Sequence, residues 1–231
     1  VPAPISVIIP TLDAADELPG CLAALTEGLV AGLIRELVVS DGGSTDATCR
    51  LAEAAGAVVV TGSPSRGGQL RRGVAEARGA WLLILHADTQ LSPGWAATVA
   101  AHLEREGAGP AYFRLRFRAR GLRPALVAGW ANLRAGLFGL PYGDQGLLLR
   151  RADYDRSGGY RDQPLMEDVA LVWALARGPG QPLAALPAQA LTSAARYQQS
   201  GWLRRGARNL WTLLRYAMGA DPSALAARYR R

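Results

Sequence analysis

The feature that most constrains the fold is an alternation in the first half of the chain. Four short apolar runs, "ISVIIPT" (Ile5 to Thr11), "ELVVSD" (Glu36 to Asp41), "AVVVTG" (Ala57 to Gly62) and "WLLILHA" (Trp81 to Ala87), are separated by helical stretches, "DELPGCLAALTEGL", "STDATCRLAEAA" and "RGGQLRRGVAEARG". A strand that is apolar at nearly every position is buried on both faces, and a helix between strands is the crossover that parallel pairing needs. The pattern predicts an α/β fold with a Rossmann-like, doubly wound, mostly parallel sheet. In such sheets ligands bind beyond the carboxyl ends of the strands. Thr11 and Asp13 follow the first strand, Asp41 ends the second, and His86 and Asp88 end the fourth, so the topology gathers five polar residues on one edge. A helix cap at Ser44 or Thr45 is expected to open the second helix.

The chemistry of that edge is not that of a dinucleotide enzyme. The first strand-to-helix turn, "PTLDAADEL", lacks the glycines that let a pyrophosphate approach the backbone, and a chain without lysine has no GxxxxGK loop. It offers carboxylates, which suit a hard divalent cation carrying phosphate oxygens. All 26 basic residues are arginine against 19 acids, a formal charge of +7. Arginine grips phosphate and carboxylate bidentately, so the surface favours phosphorylated small molecules, anionic lipid or nucleic acid. No aromatic-rich strand motif or zinc spacing marks a nucleic-acid module and the arginines are dispersed, so no nucleic-acid partner is expected. The two cysteines, Cys21 and Cys49, fall in predicted helices and suggest no disulfide framework, and no signal peptide is visible. A cytoplasmic location is the simple expectation.

The second half is less regular. "AYFRLRFRAR" alternates with period two and puts Arg114, Arg116, Arg118 and Arg120 on one face, the pattern of an edge strand with a solvated side. "GDQGLLLRR" reads as a strand after a tight turn, and "EDVALVWALAR" as a helix opening with two acids. His102 falls in a helix and is expected at the surface. The longest apolar stretch, Leu122 to Leu140, is interrupted by Arg123, Asn132 and Arg134, so no membrane-spanning helix is predicted. From Trp202 to Met218 a helix carries Leu203, Leu210 and Leu214 on one side and Arg204, Arg208 and Arg215 on the other. Two readings of this basic tail stay open: its leucines cover the core, or it makes peripheral contact with an anionic, inner-face membrane surface.

Five blocks, "SVIIPTLDAADELPGCL", "VVSDGGSTDAT", "LLILHADTQLSPGW", "RRADYDRSGGY" and "PLMEDVALVWALAR", stand in the order and spacing of family 2 glycosyltransferases, and the chain resembles that family over nearly its whole length. "HADT", "YGDQG" and "PLMED" resemble the radical-SAM/selenodomain-associated subgroup, also labelled arsenosugar-biosynthesis-type. The resemblance implies the GT-A fold in one domain, 1–231: a nucleotide-sugar half (1–110), an acceptor and catalytic half (111–195) and a helical tail (196–231).

By position, the resemblance implies that Asp88 binds Mg²⁺ or Mn²⁺ on the donor diphosphate, with His86 standing where the family has the first acid of Asp-x-Asp. Thr11, Asp13 and Asp41 match nucleoside-holding positions. Asp41-Gly42 departs from the two consecutive acids of many members, which leaves the base open, with a UDP-sugar the first choice. Arg66, Gln69 and Arg196 are implied near the diphosphate. Asp168, with Glu167 second, matches the family's base for direct displacement, and Asp144 competes for that role. Tyr142, Asp144 and Gln145 line the acceptor side. The histidine that many relatives carry as a further metal ligand is missing from "LTSAARYQQSGW".

The expected activity is therefore metal-dependent, inverting transfer from a nucleotide-diphosphate sugar to a small acceptor, with a heteroatom nucleophile of selenium type among the options. The alternatives are a polyprenyl-phosphate glycosyltransferase at the membrane surface and a non-catalytic nucleotide- or nucleic-acid-binding protein.

Overall fold

Eight strands form one mixed sheet in the computed structural model, which describes residues 3–178 and 182–229. The alternating half gives β1 (Ile5–Thr11), α1 (Leu18–Val30), β2 (Ile34–Asp41), α2 (Thr48–Ala54), β3 (Val58–Thr61), α3 (Arg66–Glu76) and β4 (Trp81–Ile84). A two-residue β5 (Gln90–Leu91) and α4 (Trp95–Leu103) lead into β6 (Ala111–Phe117) and α5 (Leu122–Phe138). Then follow β7 (Leu147–Arg150), α6 (Arg151–Arg156), α7 (Glu167–Arg177), β8 (Ala184–Thr192), α8 (Ala195–Ser200), α9 (Trp202–Ala217) and α10 (Pro222–Tyr229).

The strand order is β3-β2-β1-β4-β7-β6-β8-β5. The first four are parallel, β7 runs antiparallel to both its neighbours, and β6 pairs in parallel with β8. Thr11 lies opposite Asp41, so β1 and β2 finish level, whereas β4 ends with Ile84 opposite Ile8, and the chain runs on from there through His86 and Asp88. Successive residues of a strand point to opposite faces, and here both are covered. Ile5, Val7, Ile9 and Leu83 pack with Leu18, Leu25 and Trp95 of α1 and α4, while Ile8, Val38, Leu82 and Ile84 pack with Leu70 and Val74 of α3 and Leu171 of α7. Each such side chain contributes roughly 1.5–3 kcal/mol by leaving water.

Four expectations are corrected. The arginine-bearing strand β6 is not an edge: it lies between β7 and β8, and the short β5 takes the margin. Alternation reports that one face is solvated, as Arg114 and Arg116 are, and says nothing about flanking strands. Neither Ser44 nor Thr45 caps a helix; α2 starts at Thr48, whose N–H is met by the Asp46 carboxylate at 2.9 Å. His102 is buried in the last turn of α4, its Nε2 2.9 Å from the Gly109 carbonyl and its ring edge-on to Trp81. The leucine side of α9 does not cover the core: Leu203, Leu210 and Leu214 are exposed, and Arg205, Thr212 and Leu213 turn inward. Among the described residues no helix is long and apolar enough to cross a membrane.

Candidate active site

The level ends of β1 and β2 are tied together by side chains. Asp41 accepts hydrogen bonds from the Thr11 hydroxyl at 2.8 Å, the Gly43 N–H at 2.8 Å and the Ser44 N–H at 2.7 Å, as well as from the Ser44 hydroxyl. Burial pushes the Asp41 carboxyl up, but the bonds from Ser44, Thr11 and Gly43 outweigh it and hold the pKa below the usual carboxylate range. Asp13, at a left-handed φ of 46°, accepts from the Thr45 N–H at 2.8 Å while its own N–H donates to the Ser44 hydroxyl at 2.8 Å. The Gln69 amide, buried in α3, donates to the carbonyls of Thr11 at 2.6 Å and Ser40 at 3.1 Å. Thr11, Asp13, Asp41 and Gln69 thus form a hydrogen-bonded frame at the ends of β1 and β2. Ser44 and Thr45, which sequence reasoning treated as caps, hold that frame; "SDGGST" carried the signal.

A second group assembles across β4, α3 and the second half. β4 ends in the core, and His86 and Asp88 emerge beyond it, half-buried. The Arg66 guanidinium lies 3.2 Å from His86 Nε2 and 3.7 Å from Glu167 Oε1. Arg66 reaches Glu167 because the start of α3 is pressed against the loop before α7. The Gly67 N–H donates to the Gln163 carbonyl at 3.0 Å, the Ser65 hydroxyl to Asp162 at 2.6 Å, and a Cβ on Gly67 would stand 2.0 Å from the Arg161 carbonyl oxygen. Only glycine allows that approach.

The acceptor-side turn closes the group. A single 3-10 turn, Gly143–Gln145, follows α5, and the Gly143 N–H donates to Asp168 Oδ2 at 2.7 Å. The other Asp168 oxygen accepts its neighbour Val169 N–H at 2.8 Å. A Cβ on Gly143 would lie 2.5 Å from His86 Nε2 and 3.5 Å from Asp168 Oδ2, so the His86 ring packs directly on Gly143 beside Asp168 and leaves no room for a side chain there. Tyr142 lies under the Arg134 guanidinium, 3.4 Å from its ring centre. Gln145 is fully buried and its amide reaches the Phe113 carbonyl at 3.3 Å, which makes it a support of the turn. Met166, just before Glu167, has a φ of 62°; it and Asp13 are the two non-glycine residues with positive φ among those described, and both sit at this site.

The carboxyl groups here are poorly compensated. Burial pushes Asp144 up to about 6, Asp168 and Asp88 add repulsion, and Arg134 opposes it only partly. One Asp144 oxygen, Oδ1, is buried with no hydrogen-bond partner. Burial, then the Asp168 charge, push Glu167 up to about 8, with Arg66 working against them. Asp88 is raised by burial against the pull of Arg196 and Arg66, and no ion pair within the described residues reaches its carboxylate. His86 is held well below the usual range by burial and by the same two arginines, so its ring is neutral. Arg196, exposed at the start of α8, is therefore a cation of this site as well.

Sequence reasoning missed Arg118, assigned to the solvated side of an edge strand. It pairs with Glu17 beside α1 and its guanidinium lies 3.3 Å from the Asp88 carbonyl, so it fixes the loop carrying Asp88. The Arg134–Tyr142 stack was also missed, because contact across a loop leaves no periodic signal. A hard cation fits this donor set: Asp88 and Asp144 are both raised, neither is held in an ion pair among the described residues, and one Asp144 oxygen is orphaned. No cluster of three or more histidine, cysteine or acidic residues stands close enough to hold an ion alone among the described residues. Donor phosphates and water must complete any shell, as is usual for Mg²⁺.

Comparison with known proteins bears on the family and the fold. Residues 6–132, more than half of the chain, match the model of glycosyl transferase family 2. A PGL/p-HBAD biosynthesis glycosyltransferase of Mycobacterium bovis is 38% identical over 93 residues, covering 37% of this chain and 36% of that protein. The glucosyl-3-phosphoglycerate synthase of Mycobacterium tuberculosis, in its crystal structure with Mn²⁺, uridine diphosphate and phosphoglyceric acid, superposes with a TM-score of 0.56 at 25% identity, over 79% of this chain and 67% of that one. Staphylococcus aureus TarS (1–349) shares the fold over 98% of this chain and 70% of its own, with a TM-score of 0.65 at 14% identity. The matched region thus spans about a third of the curated relative's length.

Proposed function

The chain belongs to glycosyl transferase family 2, and from that premise we propose that it moves a sugar from a nucleotide-diphosphate donor, a UDP-sugar first, to a small-molecule acceptor with inversion and with Mg²⁺ or Mn²⁺. The observation that carries the reading is the contact set beyond the carboxyl end of β4, where His86 meets Arg66 at 3.2 Å, Arg66 meets Glu167 at 3.7 Å and the turn carrying Asp144 meets Asp168 through the Gly143 N–H at 2.7 Å. The solved synthase with Mn²⁺ and uridine diphosphate supports both cofactor and donor class.

Asp88 would hold the divalent ion, and the unpartnered oxygen of the buried Asp144 is a further carboxylate of the same site. When bound, the ion supplies Lewis-acid stabilisation of charge on the departing diphosphate. Arg66 and Arg196 add fixed positive charge on the same side. The neutral His86 ring, in contact with Arg66, orients that guanidinium and packs against Gly143. Thr11, Asp13 and Asp41 frame the nucleoside end, with Gln69 bracing the strands beneath.

Asp168 is the better base of the Glu167–Asp168 pair. Its carboxylate is partly accessible and is aimed by the Gly143 and Val169 N–H groups, whereas Glu167 is 3% exposed and protonated near neutrality. It takes the acceptor hydroxyl's proton as the oxygen attacks the anomeric carbon and the bond to the diphosphate breaks. Tyr142 and the Gly143–Gln145 turn form the acceptor wall. Within the family, "HADT", "YGDQG" and "PLMED" support the radical-SAM/selenodomain-associated subgroup and with it a small hydroxyl or heteroatom nucleophile. The test is Asp168→Asn: transfer from UDP-sugar should fall at least about 1,000-fold with donor binding retained and the product anomer inverted in the wild type. Undiminished transfer by the variant would remove Asp168 from the chemistry.

A further inference from the structure

A helix on the surface of a soluble protein normally turns its large apolar residues inward. α5 does the reverse. Its buried face is made of Pro124, Ala128, Ala131 and Ala135, with Arg134, while Leu122, Leu126, Trp130, Leu133 and Leu137 stand outward. Spacings of three and four residues make these five a single stripe. They are 83%, 71%, 50%, 51% and 69% exposed, and Phe138 beside them is 66% exposed. α9, which contacts α5, is inverted in the same way, with Leu203, Leu210, Trp211, Leu214 and Met218 outward. Two neighbouring helices thus offer eleven large apolar side chains to solvent. A lone exposed leucine needs no explanation, but a contiguous field of this kind marks a binding surface.

We propose that the outward faces of α5 and α9 dock on an anionic lipid bilayer, with the helices lying flat in the interface. Charge selects this occupant. Neither helix contains an aspartate or glutamate, and no acid occurs between Gly107 and Gly143. The stripes are flanked by the exposed Arg120, Arg123 and Arg204 and the half-buried Arg215. Apolar residues backed by arginine at their margins match an acyl boundary beneath anionic headgroups. Trp130 and Trp211 belong to the interfacial residue class. Neither helix can span the bilayer, so the contact is peripheral. A second copy of this chain would instead juxtapose two basic faces.

The docking face is continuous with the acceptor side of the site. α5 ends at Phe138, and Arg134 on its inner face donates to the Leu140 carbonyl at 3.1 Å and covers Tyr142. The turn that meets Asp168 therefore starts where the docked helix stops. The proposal does not depend on the transfer reaction.

The test is vesicle flotation at low and high salt, using equal parts phosphatidylcholine and phosphatidylglycerol against phosphatidylcholine alone. The wild type should float with the anionic vesicles, with tryptophan emission shifted to the blue. Combined Leu126→Gln, Leu133→Gln, Leu210→Gln and Leu214→Gln should weaken binding at least about tenfold, since each lost contact removes apolar burial. These side chains are exposed, so the variant should melt with the wild type and still bind UDP, which separates this outcome from failure of the donor-site reading. Absence of flotation, or equal flotation by the variant, overturns the proposal. So does a wild-type dimer that the variant converts to monomers without any vesicle binding, which would give the face to a second copy.

Discussion

Gly67→Ala should destabilise the protein although alanine is the better helix former. Gly67 lies in the first turn of α3, and an added Cβ would meet the Arg161 carbonyl oxygen at 2.0 Å and the Gln163 N and O at 2.9 Å, against an ordinary contact of 3.4 Å or more. The partners are backbone atoms, so no rotamer change relieves the clash, and the loop must retreat by over about 1 Å through a close-packed region. Overpacking of this kind costs roughly 3 kcal/mol. Loss of the Gly67 N–H bond to Gln163 adds about 1 kcal/mol, and alanine's helix preference returns about 1 kcal/mol. The expected net loss is about 3 kcal/mol, near 9 °C in Tm for a chain of this size. Urea unfolding followed by fluorescence measures it. Gly129→Ala is the control: it sits in α5 with nothing within 4 Å of its Cβ position, and should gain about 0.5–1 kcal/mol. An unchanged midpoint in Gly67→Ala would refute the claim that the α3 start is wedged against the loop leading to Glu167.

Three further outcomes follow from the site. Glu167, raised to about 8 from an ordinary 4.5, binds a proton in the folded state that the unfolded chain releases, so its contribution is complete below the ordinary range and is lost as pH rises through about 8. In metal-free buffer, Glu167→Gln should gain stability over the wild type progressively across that window, by roughly 2–4 kcal/mol at its top; a pH-independent difference would contradict the assignment. Gly143→Ala should keep the fold yet lower transfer at least about 100-fold, because its Cβ must push the His86 ring away from Gly143 and Arg66; full transfer would show that the His86 position does not matter to the reaction. Asp41→Asn should weaken the Ser44 turn and lower stability by about 1–2 kcal/mol in a thermal melt, with no loss if Asp41 only contacts ligand.

How far the sequence could be read differs between its halves. Period and apolar run length made the parallel strands legible, because burial on both faces leaves a direct mark in "ISVIIPT" and "WLLILHA". The strand-end rule then placed Asp41, His86 and Asp88 on one edge. β6 was recognised as a strand but misplaced, since alternation does not encode neighbours. Ser44 and Thr45 were misjudged because a hydroxyl before a helix caps it only when no nearer carboxylate competes, and Asp13 and Asp41 do compete. The meeting of Arg66 with Glu167 depends on backbone contact at Gly67, which no local pattern reports. α9 shows the opposite limit: Leu203, Leu210 and Leu214 do share one side, but that this side turns outward while Arg205, Thr212 and Leu213, and not the Arg204–Arg208–Arg215 side, turn inward is a tertiary fact.

The most direct test of the account is calorimetric binding of UDP with and without Mn²⁺, to the wild type and to Asp88→Ala. Binding by the wild type that requires Mn²⁺, and its loss in a folded Asp88→Ala, is the result the account predicts. Metal-independent binding, or equal binding by the variant, would contradict a donor site built on Asp88.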